Sequence, residues 1–143
     1  MAYLMLIVEE PGLRRTRSAV EGKRAYDSMA RFRDGLETRG VLRACDSLTS
    51  DANGVRIKVR GGKRSVVDGP FAEAKEIVGG FFLLDCATRE EAVAIASECP
   101  ATEWATVEVR EIGPCWEGNE CLHVGLSWGL SWGALLHQRR KLL

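Results

Sequence analysis

The chain has 143 residues, the length of one domain, and its 45% hydrophobic and 28% charged content is ordinary for a soluble globular protein. The 20 basic and 20 acidic side chains cancel, which argues against a nucleic-acid-binding protein. No apolar stretch is long enough to cross a membrane, and residues 3–8 are too short for a signal peptide. The five cysteines are an odd number without the spacing of a disulfide framework, so we expect a cytoplasmic protein.

A strand and a helix are predicted first. Residues 3–8 are continuously apolar, which is typical of a strand covered on both faces near the middle of a sheet. Ser18 and Glu21 have the spacing of a capping box and open the helix, and Gly40 can adopt the left-handed conformation that ends it. The buried face of this helix is predicted from helical spacing to carry Ala25, Met29, Phe32 and Leu36.

A second strand and a hairpin follow. Residues 41–48 are predicted to be a strand, and residues 55–60 alternate apolar and basic side chains, as a strand with one face in the core and one in water does. Gly61 and Gly62 form a two-residue hairpin turn that leads into residues 63–67. We interpret the basic row as a charged edge that blocks aggregation, in preference to a nucleic-acid patch; it consists of Arg56, Lys58, Arg60, Lys63 and Arg64.

Polar residues are concentrated between two apolar runs in residues 66–85. A turn at residues 68–71 precedes a short acidic helical turn with Glu73, Lys75 and Glu76, and then a buried strand begins at Gly79. Thr88 and Glu91 have the spacing of a second capping box and open a second helix, which Pro100 ends. The final strand is predicted within residues 104–112, with Val107 and Val109 on one face and Glu108 and Arg110 on the other.

This order of elements predicts the fold class. Strand, helix, strand, hairpin, strand, helix and strand form an α+β, ferredoxin-like two-layer sandwich with an inserted hairpin. The open face of such a sheet needs a cover, so we expect a homodimer. Residues 1–113 are predicted to be the domain, and residues 114–143 a C-terminal tail that packs loosely or docks on a partner.

Four residues are candidates for a functional site. Asp68 lies beside a proline turn, where an apolar wall could raise the pKa of its carboxyl group and allow it to act as an acid or base. The alternative is that Asp68 only caps backbone amides of the turn. Phe71 supplies that wall and Glu76 follows it closely in sequence. Arg110 could hold a substrate carboxylate, although an ion pair with Glu108 within the sheet is the simpler interpretation.

Metal binding and cofactor chemistry are not expected. Cys115, Cys121 and His123 match no standard zinc module, and the two histidines, His123 and His137, both lie in the tail. The chain contains no P-loop, nucleophile elbow or dinucleotide fingerprint. We therefore predict no cofactor and no metal.

The residues Asp68-Gly69-Pro70-Phe71-Ala72-Glu73-Ala74-Lys75-Glu76, followed by Gly79-Gly80-Phe81, resemble the YCII-related family in its DGPF-domain branch. The resemblance extends from the opening strand to Arg110 and implies a ferredoxin-like fold that dimerises as an α/β barrel. Some members of the family are enzymes that use a His–Asp pair. No histidine precedes the tail here, so only Asp68 is carried over. The resemblance also implies an accessory role beside extracytoplasmic sigma factors.

Two functional hypotheses follow. The first is a lyase or isomerase acting on a small anionic organic acid, with Asp68 moving a proton, Arg110 holding a carboxylate, and Phe71 and Glu76 completing the site. The second is a non-catalytic dimer that binds a metabolite or serves a regulatory partner. The absent histidine favours the second hypothesis, and the proline turn at Asp68 favours the first.

Overall fold

The computed structural model describes residues 1–113, and the predictions for the tail and for Cys115, Cys121 and His123 lie outside them. The strands are β1 (Ala2–Glu9), β2 (Leu42–Ser47), β3 (Val55–Arg60), β4 (Lys63–Asp68), β5 (Ile77–Asp85) and β6 (Thr106–Glu111). The helices are α1 (Leu13–Thr16), α2 (Ala19–Thr38) and α3 (Arg89–Ser97), with short 3-10 turns at Asp51–Asn53 and Pro100–Glu103. None of these helices has the length and apolar character needed to cross a membrane.

Four strands form an antiparallel sheet in the order β2-β5-β1-β6. Without the hairpin and the short α1, the chain runs β1-α2-β2-β5-α3-β6, so α2 and α3 each connect a central strand to an edge strand. This order and connectivity define the ferredoxin-like α+β fold, and the predicted fold class is confirmed. The β3–β4 hairpin is inserted between β2 and β5 and forms a separate two-stranded sheet.

The core lies between one face of the sheet and the helices. Tyr3, Met5 and Ile7 of β1 are buried against Leu36 of α2 and Ile95 of α3. The alternate side chains of β1 are only half-buried. The prediction that residues 3–8 are covered on both faces was therefore wrong for the described chain, because both helices pack on the same face of the sheet.

Capping residues fix where the helices begin. Ser18 and Glu21 form the predicted capping box of α2, with the Ser18 backbone N–H donating to the Glu21 carboxylate at 2.8 Å. Gly40 has the expected positive φ of 69° after the helix. Thr88 caps α3 by accepting from the Glu91 N–H, but the Glu91 carboxylate accepts from the Ala87 N–H and not from Thr88. The second capping box is therefore only half formed.

The β3–β4 hairpin turns as predicted but packs differently. Gly61 and Gly62 have φ of 53° and 73°, as a two-residue turn with two left-handed positions requires. Every residue of β3 and β4 is exposed, including the apolar row that alternation assigned to the core. That assignment was wrong, because the hairpin pairs only with itself and no described helix covers it.

The predicted helical turn after the Asp68 motif is also absent. Residues 71–76 form a non-helical turn, in which the Ala74 N–H donates to the Phe71 carbonyl at 2.8 Å. Glu73 and Glu76 therefore do not share a helical face. The Gly69–Pro70 peptide bond within the motif is cis.

Candidate functional site

A cleft of about 510 Å³ opens between α2 and the sheet. Its floor comes from β1, β2 and β5, its roof from α2, and one end from the segment around Trp104. The apolar part of the wall consists of Ile7, Ala25, Met29, Ala30, Phe82, Ala101 and Trp104. The polar and charged part consists of Glu9, Arg14, Arg17, Tyr26, Arg33, Asp46 and Ser47. This volume and mixture of side chains are those of a small-molecule site.

An ion pair with a buried carboxylate and an exposed guanidinium lines one side of the cleft. Glu9 continues the inward-facing row of β1 and is only 5% exposed. Arg14 Nε donates to Glu9 Oε2 at 2.9 Å, and Arg14 Nη2 donates to Glu9 Oε1 at 3.2 Å. Arg14 also donates to the Leu48 carbonyl at 2.7 Å and to the Gly79 carbonyl. One guanidinium thus joins the ends of three strands, and the two-point contact neutralises the Glu9 carboxylate.

Gly79 makes room for this pair. A Cβ at Gly79 would lie 2.5 Å from Glu9 Cδ and 2.6 Å from Arg14 Nη2. A Cβ at Gly80 would lie 2.9 Å from the Asp46 carbonyl oxygen on the neighbouring strand. The glycine pair after the acidic turn is therefore required by close approach of the charged pair and of the β2 backbone.

Of the three arginines that line the cleft, Arg17 is the one without a salt bridge within residues 1–113. It precedes the Ser18 cap of α2, and its guanidinium lies 5.0 Å from the centre of the Trp104 ring. Its Nη2 atom is buried and has no hydrogen-bond partner within residues 1–113. Buried hydrogen-bond donors are nearly always paired. The Trp104 ring attracts the positive charge of Arg17, whereas an anion in the cleft would accept a hydrogen bond from Nη2.

The remaining polar groups of the cleft have partners or raised pKa values that limit their chemistry. Arg33 donates two hydrogen bonds to Asp34, which raises the pKa of its guanidinium. Burial raises the pKa of the Cys45 thiol, so it stays protonated at neutral pH and is a poor nucleophile. Tyr26, which sequence analysis left without a role, stands at the cleft and is 71% exposed.

Asp68 and Phe71 lie on opposite faces of the hairpin. Asp68 pairs with Val55 in register, so its side chain shares the face of Val55. The Phe71 ring stacks 4.0 Å from the Arg56 guanidinium on the other face, in a shallow hollow of about 360 Å³. Asp68 is exposed, and Phe71 is not the wall beside it that the sequence suggested.

Glu76 and Arg110 lie outside both cavities. Glu76 is exposed in the turn before β5, and Arg110 is exposed on β6 with its Nε 3.7 Å from Glu108 Oε1. The simpler ion-pair interpretation of Arg110 is thus present in the structure. Roles for these two residues and for Asp68 stay predictions. Within residues 1–113, no cluster of three or more potential metal ligands occurs.

Sequence reasoning missed Glu9, Arg14 and Arg17. The signal for Glu9 was available, because the period of two through Tyr3, Met5 and Ile7 places it on the buried face. Arg14 lies in the short helix α1 and Arg17 directly follows it, and nothing in the local sequence pattern shows which strand ends they reach. Their roles depend on contacts with residues 47–48, 79 and 104.

The fold and cleft define a small α+β domain with a basic pocket beneath its first long helix. A family model described as the YCII-related domain matches residues 1–115, and the chain belongs to that family. The uncharacterised protein R00369 of Rhizobium meliloti (strain 1021) is 29% identical over 98 residues, which cover 68% of this chain and 79% of that protein. The DGPF branch within the family stays a prediction.

The chain is also similar to a solved structure. That structure is the 5-chloro-2-hydroxyhydroquinone dehydrochlorinase TftG of Burkholderia phenoliruptrix AC1100 in complex with 2,5-dihydroxybenzoquinone. The match has 13% identity and a TM-score of 0.47, and it covers 79% of this chain and 94% of the dehydrochlorinase. At these values the likeness assigns neither a ligand nor a reaction to this chain.

Proposed function

We propose that this YCII-related protein binds a small organic acid in the cleft between α2 and the sheet, with Arg17 as the anchor for its carboxylate. The observation that carries the proposal is the buried Arg17 Nη2 without a hydrogen-bond partner among the described residues. A carboxylate can accept from a guanidinium at two points, and such charge-assisted hydrogen bonds are strong in a partly buried site.

The charges of the cleft favour one negative group on the ligand. Arg14 is neutralised by Glu9 and Arg33 is bonded to Asp34, which leaves Arg17 with only an aromatic partner. Much of the remaining wall is apolar and includes Met29, Phe82 and Trp104. These residues fit a compact acid whose carboxylate binds Arg17 and whose apolar or unsaturated part contacts the apolar side chains.

The described cleft supports binding better than catalysis. Both Glu9 oxygens accept from Arg14 and the side chain is only 5% exposed, so little of this carboxylate is accessible to a substrate. The Cys45 thiol is held protonated by burial, which raises its pKa. We therefore place the metabolite-binding or regulatory role, including the accessory role beside a sigma factor, ahead of the enzyme.

The lyase or isomerase hypothesis keeps one supporting observation. Asp68 is exposed and forms no hydrogen bond or ion pair within residues 1–113, so its carboxylate is accessible to a substrate. In this second proposal Asp68 moves a proton at the motif, and Phe71, Glu76 and Arg110 contact the substrate. Such a site needs a surface that brings these residues closer than one described subunit does.

A thermal-shift screen tests the first proposal. We expect small hydroxy, keto and halogenated carboxylic acids to raise the Tm of the wild-type protein, and the corresponding neutral amides to leave it unchanged. A ligand at one hundred times its Kd adds about 2.7 kcal/mol, or several degrees for a domain of this size. Arg17→Gln, which removes the charge and keeps a long polar side chain, is expected to lose the shift.

Two variants separate the proposals. Asp68→Asn is expected to keep the full acid-dependent shift, because Asp68 does not line the cleft. Arg24→Gln, a change at an exposed arginine of α2 outside the cleft, controls for the loss of one positive charge. A shift that survives in Arg17→Gln and disappears in Asp68→Asn would reject the cleft and move the site to the motif.

We also propose that the protein is a homodimer of the predicted α/β-barrel type. Helices cover one face of the sheet, while Leu4, Leu6 and Val8 on the other face are half-buried in a single subunit. A second copy would cover this apolar surface. The charged residues of the hairpin and the net charge of +0 give no reason to invoke nucleic acid.

A further inference from the structure

One face of the β3–β4 hairpin carries an exposed apolar row. The register pairs Val55 with Asp68, Ile57 with Val66, and Val59 with Arg64, and directly paired residues project from the same face. Val55, Ile57, Val59 and Val66 are 53%, 65%, 62% and 58% exposed. An isolated two-stranded hairpin is marginally stable in water, so a face of this composition calls for a cover.

The charges on this face have a particular order. Asp68 lies at the base of the hairpin, Arg64 lies near its tip, and Val66 stands midway between them on β4. The rise of a strand places the two charged residues about 13 Å apart. Neither forms a hydrogen bond or an ion pair within residues 1–113, and both are exposed. The face is therefore negative at one end, apolar in the middle and positive at the other end.

We propose that a second copy of this chain packs on the hairpin face, with a two-fold axis near the Ile57–Val66 pair. The inference rests on the homodimer proposed above and adds a second contact surface to the sheet face of β1 named there. A two-fold rotation places the base of one hairpin against the tip of the other. Asp68 of each subunit then faces Arg64 of the other, and the two apolar rows pack together as the inner faces of two sheets do.

The symmetry of the charges favours a second copy over another cover. The face is complementary to itself after a two-fold rotation, because its single acid and its single base lie at equal distances from Val66. An unrelated partner would need no such symmetry. Asp68 of the Asp-Gly-Pro-Phe turn is exposed in a single subunit. In the proposed dimer its carboxylate has a structural role, because it pairs with Arg64 of the second copy.

Charge reversal tests this arrangement by sedimentation of the full-length protein over a range of concentrations. Arg64→Asp and Asp68→Arg each place like charges opposite one another twice per dimer. Each is expected to weaken the dimer at least about tenfold. The double variant Arg64→Asp/Asp68→Arg restores both pairs with exchanged partners and is expected to return the dimer Kd to about the wild-type value.

Two further variants complete the test. Lys63→Asp reverses a charge next to Arg64 on the opposite face of the hairpin and is expected to leave the dimer unchanged. Ile57→Lys places a charge in the centre of the apolar row and is expected to weaken the dimer. Ile57 is 65% exposed, so a folded variant is expected, as circular dichroism would show.

The outcomes separate this inference from the homodimer and from the cleft. A monomeric wild-type protein would overturn both the homodimer and its hairpin contact. A dimer that neither single reversal nor Ile57→Lys weakens would overturn the hairpin contact alone, as would a double variant no tighter than the single ones. The acid-dependent thermal shift tests the cleft separately, because none of these four positions lines it.

Discussion

Two glycines of the central stretch are required by close neighbours and not by their own backbone angles. A Cβ at Gly69 would lie 1.8 Å from the Asp51 carbonyl oxygen, and one at Gly79 would meet Glu9 and Arg14 within 2.6 Å. Neither has a positive φ. Gly69 lets the Asp68 turn lie against the 51–54 loop, while Gly79 lets β5 approach the Glu9–Arg14 ion pair.

Gly79→Ala is expected to destabilise the protein by about 1–3 kcal/mol, the usual cost of inserting a methyl group into a filled site. The methyl group must displace a carboxylate and a guanidinium that are bonded to each other. Chemical denaturation measures the change in unfolding free energy.

Gly35→Ala is the matched control for this substitution. A Cβ at this position of α2 meets nothing within 4 Å, so we expect a gain of about 0.5–1 kcal/mol from better helix propensity. Equal free-energy changes in the two variants would contradict the close-approach explanation for Gly79.

At the scale of elements, ion pairs at the strand ends join the strands of the sheet, in addition to the backbone hydrogen bonds between them. Asp85 at the end of β5 forms ion pairs with Arg43 of β2 at 2.6 Å and with the Met1 amino group before β1 at 3.6 Å. The hydrogen bond from Arg43 lowers the pKa of the Asp85 carboxyl. The opposite end of these strands is joined by Arg14.

Arg43→Gln is expected to lower the Tm at neutral pH, and the difference from wild type should disappear in acid. Asp85 has a lowered pKa in the folded state, so its stabilisation is present above the ordinary aspartate value near 4 and is lost as the pH falls through the lowered one. Both side chains are about half exposed, which limits the effect to about 0.2–1 kcal/mol or a few degrees.

Thermal unfolding of both proteins between pH 7 and pH 3 checks this dependence. Arg24→Gln is the control, because Arg24 is exposed and forms no ion pair within residues 1–113. A Tm difference between Arg43→Gln and wild type that stays constant at every pH would contradict the assignment to Asp85.

At the scale of the whole domain, the helices and the four-stranded sheet share one core, and the hairpin lies apart from it. The hairpin carries no buried side chain. At its base, the Gly69 N–H donates to the Gly54 carbonyl at 2.8 Å, and the Phe71 N–H donates to Asp51 Oδ2 at 3.2 Å. The stability of the hairpin therefore depends little on the core.

We expect backbone amides of β3 and β4 to exchange with solvent faster than those of β1 and β5 in dilute protein. Local opening of the hairpin exposes little apolar surface, whereas opening of β1 and β5 disrupts the core. Hydrogen exchange measured by NMR or mass spectrometry resolves the two groups. Protection of β3 and β4 equal to that of β1 in dilute monomer would contradict this separation.

The sequence predicted most of the fold because the relevant signals are local. Alternation, the Ser18 capping box and the Gly61-Gly62 turn each act over a few residues and are present as predicted, while only half of the Thr88 capping box forms. The same signals failed for the hairpin, because alternation says that a strand has an apolar face but not what covers it. Among the proposed site residues, only Phe71 lines a cavity in the described chain.

The sequence by itself determined the order of the six strands and of α2 and α3, where these two helices begin, and the membership of the YCII-related family. Only the tertiary structure decided that Arg14 reaches Gly79, 65 positions away, that Arg17 stacks on Trp104, and that Asp68 and Phe71 face opposite sides. Caps and periodicity depend on neighbours within a turn or two, whereas these contacts depend on the register of strands that are distant in the chain.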